Sequence, residues 1–86
     1  MNGPLRHAPI PVTIRTEEID LGSFLKLAGA VLTGGEAKGR VQRGEVRVND
    51  QTELHRRRSL RPGDRVSIPG GLTYVVHHAS TGLNHP

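Results

Sequence analysis

DLGSFLKLAGAVLTGGEAKGRVQRGEVRVN, residues 20–49, holds two apolar periods that decide the fold. Leu21, Phe24, Leu25, Ala28 and Leu32 recur at i, i+3, i+4, i+7 and i+11, on one face of a helix. The spacing predicts a helix from Asp20 to about Leu32, with Asp20 as N-cap and Ser23 and Lys26 on the polar side. Thr33-Gly34-Gly35 interrupts it. Thr33 and Glu36 have the spacing of a capping box, which predicts a second helix over about Gly35 to Arg43. In that helix Ala37 and Val41 face inward, Lys38 and Gln42 share the outer face, and Glu36 and Arg40 stand ready to pair. Gly44 ends it as a C′ glycine.

Outward from this pair the pattern changes period. Val46 to Asp50 alternates apolar and polar residues, a strand entering a tight Asn49-Asp50 turn. Short strands are predicted near Thr52–Leu54, Val66–Ile68 and Thr73–Val76, the last two joined across Gly70-Gly71. Arg61-Pro62-Gly63-Asp64 is a turn in which Pro presets φ and Gly accepts a positive one. Upstream, Val12–Thr16 suits a short edge strand. Residues 1–11, with Pro4, Pro9 and Pro11, and residues 79–86 read as flexible tails around one domain over 12–78. Two short helices followed by mostly antiparallel strands make an α+β fold.

Composition narrows the function. The 86 residues suffice for one small domain, and with one Phe and one Tyr its core must be Leu, Val, Ile and Ala. Phe24 and Tyr74 both read as core. Twelve Lys and Arg against eight Asp and Glu leave a net charge of +4, which favours a polyanionic partner. The absence of Cys excludes disulfides, thiolate metal sites and Cys nucleophiles. No apolar run is long enough to span a membrane, and the first ten residues lack the apolar core of a signal peptide, so a cytoplasmic location is expected. Gly34-Gly35-Glu36-Ala37-Lys38 lacks the spacing of a nucleotide-phosphate loop. Glu17, Glu18 and Asp20 suit a helix start better than acid–base work. His77 and His78 point to opposite faces of a strand, so no metal or other cofactor is expected.

The same residues carry a resemblance. Leu21, Leu25, Gly29, Ala37, Val41, Gly44, Val46, Val48 and Asn49 fall at the spacings of a recurring pattern, R-L-D-x-x-L-x-x-x-G-x-x-x-S-R-x-x-A-x-x-L-I-x-x-G-x-V-x-V-N-G. Thr33 stands at its Ser position, and Leu60-x-Pro62-Gly63-Asp64-x-Val66 matches its closing turn and strand. The pattern belongs to the RNA-binding domain, or alpha-L motif, of the fourth small-subunit ribosomal protein. Many pseudouridine synthases, tyrosyl-tRNA synthetases and small heat-shock ribosome factors share it. Residues 12–77 resemble this family, and Phe24-Leu25-Lys26-Leu27 with Thr33–Lys38 resembles its short, stand-alone bacterial members. The departures are Asp20 for a leading Arg, Gly22 for Asp, Gly34 for Arg, Arg40 for Leu and Asp50 for Gly.

The resemblance implies two helices packed on a small sheet, bound to structured RNA: ribosomal or transfer RNA, free or on a ribosomal subunit. The implied contacts are Lys26, Thr33, Gly35, Lys38, Arg40, Arg43, Arg47, Asn49 and Arg56-Arg57-Arg58, with the cations other than Arg40 lining one strip. Lys38, Arg40 and Arg43 would replace the charge missing at Gly34, and Gly34-Gly35 would open the second helix's N–H groups to a phosphate. Catalytic relatives carry a separate domain for chemistry, so no enzyme activity is expected, and a monomer is. The competing reading is a protein-interaction adaptor that keeps the fold without RNA binding, motivated by Asp20 and Gly34.

Overall fold

The computed structural model describes residues 8–79. Along them lie β1 (Ile10–Ile14), β2 (Ile19–Asp20), α1 (Leu21–Leu27), α2 (Gly34–Gln42), β3 (Arg47–Val48), β4 (Gln51–Thr52), β5 (Ser59–Leu60), β6 (Arg65–Ser67) and β7 (Thr73–His78). The architecture is α+β, as expected. The 1–11 and 79–86 segments lie outside the described residues except for 8–11 and Ala79, and β1 takes in Ile10 and Pro11.

Both helices begin where their caps dictate. The Asp20 carboxylate accepts from the Ser23 N–H at 3.0 Å and from the Ser23 hydroxyl at 2.8 Å. Thr33 Oγ1 accepts from the Glu36 N–H at 3.0 Å. The reciprocal half of the capping box is displaced by one residue, since Glu36 Oε1 takes the N–H of Leu32 at 2.9 Å. α1, however, ends at Leu27, five residues before the expected end. Ala30 N–H bonds to Leu25 O and Gly29 N–H to Lys26 O, both at 3.0 Å, with Gly29 at φ +78°. This is a Schellman motif, and Gly29 is its left-handed residue. The chain then turns, so Val31 is buried and Leu32 is 86% exposed, reversing the part assigned to Leu32. α2 closes the same way: Glu45 N–H bonds to Arg40 O and Gly44 N–H to Val41 O, with Gly44 at φ +76°.

The sheet runs in the order β1-β7-β6-β3-β4, and β2 pairs with β5 apart from it. Its pairs are antiparallel except β1 with β7, which run parallel from Ile10↔Tyr74 to Ile14↔His78. Pro11 sits in the outermost strand, where a missing N–H removes no ladder bond. Asn49 and Asp50, at φ 51° and 70°, turn β3 into β4 as a two-residue hairpin. One sheet face and the two helices enclose Leu21, Phe24, Leu25, Ala37, Val41, Val48, Leu60, Val66, Tyr74 and Val76 in one core. Each large side chain in it contributes about 1.5–3 kcal/mol.

A Cβ would meet nothing at Gly29 and make only an ordinary 3.9 Å contact with Thr33 Oγ1 at Gly35, but only Gly29 has a positive φ. Urea denaturation is expected to show Gly29→Ala destabilised by about 1–2 kcal/mol. Gly35→Ala is expected to gain up to about 1 kcal/mol, because alanine lowers the entropy lost on folding.

Candidate nucleic-acid interface

The basic run is built into the fold through its backbone. The first N–H groups of α1 have no helical acceptor. Leu21 N–H donates to Arg58 O and Gly22 N–H to Arg56 O, each at 2.8 Å, and the turn closes on itself through Arg58 N–H to His55 O at 3.1 Å. Gly22 is buried, and a Cβ there would lie 3.5 Å from Arg56 O. Glycine stands here in place of the family's Asp, and turn 55–58 packs against it. With the carbonyls turned inward, Arg57 is exposed.

Carboxylates divide the cations into two groups. Arg40 lies 3.2 Å from Glu45 and 3.6 Å from Glu36, Arg43 lies 2.8 Å from Glu45, and Arg58 lies 2.7 Å from Glu53. The Arg40 Nε–H is buried without an acceptor. Lys26, Lys38, Arg47, Arg56 and Arg57 form no side-chain hydrogen bond or ion pair among the described residues. Arg43 and Glu45 shift each other in opposite senses: the hydrogen bond raises the guanidinium pKa and lowers the carboxyl's. The hydrogen bond from Arg58 holds Glu53 below the usual carboxylate range against the effect of burial, with His55 assisting at 3.2 Å. Burial pushes Asp20 up, but the bonds from Ser23 and the attraction of Arg57 outweigh it and leave its carboxyl low.

Lys26 in the last turn of α1, Lys38 on the outer side of α2 and Arg57 on the basic turn all reach solvent from the helical layer or the turn docked to it. Three of the other expected contacts stand differently. Thr33 spends its hydroxyl oxygen on the α2 cap, beside the exposed Gly34 and Gly35. Asn49 is committed at both ends of its amide, donating to Asp64 at 3.1 Å and accepting from the Arg65 N–H at 3.0 Å. Arg47 is not brought into the strip: Val48 faces the helices, so the pleat sends Arg47 to the opposite face. The sequence reading missed Glu45 and Glu53 as partners of the arginines. Their only signal was position, Glu45 immediately after the C′ glycine and Glu53 five residues before Arg58.

The elements define a small α+β module with a basic helix-and-turn surface and, among the described residues, no group of His, Asp or Glu able to hold a metal ion. No described helix is long and apolar enough to cross a membrane. The chain belongs to the S4 domain family, whose profile matches residues 12–77. It is also similar to a Bacillus subtilis (strain 168) protein described as probable ribosome maturation protein RlbA. The two are 48% identical over 66 residues, which make up 77% of this chain and 93% of that protein.

Folding lowers the Glu53 carboxyl, so its pairing stabilises the protein above the ordinary glutamate value of about 4.3. That stability is lost as pH falls through the lowered native value. Urea midpoints of wild type and Glu53→Gln are therefore expected to differ above about pH 5 and to converge on acidification. A gap that persists unchanged to about pH 3 would remove the ion pair as its cause.

Proposed function

We propose that this protein binds structured RNA without catalysing a reaction, using Lys26, Lys38, Arg56 and Arg57 as its principal contacts. Arg43 and Arg58 become available when phosphate competes with Glu45 and Glu53. The observation that supports this most is the basic turn fixed to the start of α1, in a chain that is S4 domain over residues 12–77. Cations on a fixed frame neutralise closely spaced phosphates and release counterions. Phe24 is fully buried and Tyr74 is 9% exposed, so neither offers a ring for stacking unpaired bases. Folded RNA, recognised through shape, phosphates and 2′-OH groups, suits such a surface. The relative's description favours ribosomal RNA over transfer RNA, and a cytoplasmic site of action.

Fluorescence titration with a ribosomal RNA fragment, transfer RNA and duplex DNA at several salt concentrations tests this. Ribosomal RNA is expected to bind best, with a log–log salt slope of about −0.7 to −0.9 per phosphate neutralised. Lys38→Glu with Arg57→Glu is expected to weaken binding about tenfold or more and to flatten that slope. Unchanged binding by the double variant would refute the site. No wild-type binding below about 100 μM at low salt would refute the function and favour a protein adaptor.

A further inference from the structure

The sheet face turned away from the helices has no part in the interface above. Because Val48, Val66, Tyr74 and Val76 are buried on the helical side, Arg47, Arg65, Ser67, Thr73 and His77 project from the other. The register aligns them. Thr52, Arg47, Ser67 and Thr73 form a row across four strands, and Arg65 stands one step along β6, diagonal to Arg47. Diagonal neighbours of this kind are about 7–8 Å apart, a reach that suits successive phosphates of one strand. Arg47, Arg65 and His77 are exposed. Neither arginine side chain forms a hydrogen bond or ion pair among the described residues. No Asp or Glu occupies an outward position on the five strands, whereas Glu36, Glu45 and Glu53 lie among the cations of the helices and the basic turn.

We propose that this sheet face is a second RNA-binding surface, which takes the phosphate backbone of a second RNA segment while the helices and basic turn hold the first. The inference rests on the RNA-binding reading above. Arginine forks grip phosphate oxygens in pairs, and the row of hydroxyls can donate to phosphate or pair with 2′-OH groups. The face has no Phe, Tyr or Trp, its one ring being the imidazole of His77, so its arginines and hydroxyls suit backbone better than splayed-out bases. It also lacks the apolar centre that a protein partner would bury, Val75 being its one large aliphatic residue. Two such faces on opposite sides of one small domain let a single copy bridge two RNA segments.

The test uses two RNA hairpins, one carrying a donor dye and one an acceptor, mixed with the full-length protein. Wild type is expected to produce energy transfer between them at stoichiometric protein, with sedimentation showing one protein and two hairpins. Arg47→Glu with Arg65→Glu is expected to abolish the transfer, while affinity for a single hairpin changes by less than about threefold, as for independent sites. An unchanged urea midpoint shows that this variant is folded. Single-hairpin binding without transfer in the wild type would overturn the second surface and leave the first intact. Transfer that survives the sheet substitutions, or that tracks a protein dimer, would also overturn it. Failure of the wild type to bind any hairpin would overturn both readings.

Discussion

The first peptide N–H groups of a helix need acceptors from outside it, and in α1 the carbonyls of Arg58 and Arg56 supply them. That joint connects residues 21–22 to residues 56–58 across more than thirty positions of sequence, and β2 with β5 continues it through Ile19↔Leu60. It fixes the backbone of the basic turn without using its side chains. Three consecutive arginines repel one another, and a fixed backbone holds them together against that repulsion. Pinned from behind, the backbone of Arg57 is held in place, so under the proposed function less ordering entropy would be lost on binding RNA. Gly22 lies buried against this joint, where a Cβ would be in ordinary contact with Arg56 O.

The carboxylates then act on cations both outside the joint and within it. Glu45 engages both Arg40 and Arg43, and Glu53 engages Arg58. A Schellman motif is commonly accompanied by an apolar contact between C″ and C3. In α2 those positions are Glu45 and Arg40, and an ion pair stands in that place. Salt weakens exposed pairs of this kind and phosphate competes with them directly. The surface therefore holds cations without an ion pair at Lys26, Lys38 and Arg57, and others engaged by carboxylates.

Much of this could be read in the sequence. Asp20, Thr33, Gly44, Asn49-Asp50 and Pro62-Gly63 placed both helix starts, one helix end and two turns, because each acts through atoms in its own vicinity. The far end of α1 was misplaced for a physical reason. Apolar spacing continues through Leu32, but Gly29 leaves the helix first, and periodicity does not register a left-handed residue. The parallel pairing of β1 with β7 and the short β2–β5 ladder join distant segments and leave no local sign. Among the candidate contacts, exposure was readable from helical and strand phase. Partnership was readable for Glu36 with Arg40, at i, i+4, but not for Glu45 and Glu53, which meet their arginines through the turns of the folded chain.

Phase also separates the two basic faces. From Arg43 on the C-cap of α2 to Arg47 in β3 the chain runs through Gly44, Glu45 and Val46, and Val46 is fully buried. Gly44 turns the backbone out of the helix, Val46 anchors it in the core, and the pleat carries the next side chain to the far side of the sheet. Three residues thus divide a cation of the helical layer from one on the opposite face. Shifting the register of β3 by one residue would exchange Val48 for Arg47 in the core, which one sequestered charge would make prohibitive. The burial that stabilises the sheet is therefore the same constraint that keeps the arginine row on its outer surface, and the two cannot be altered independently.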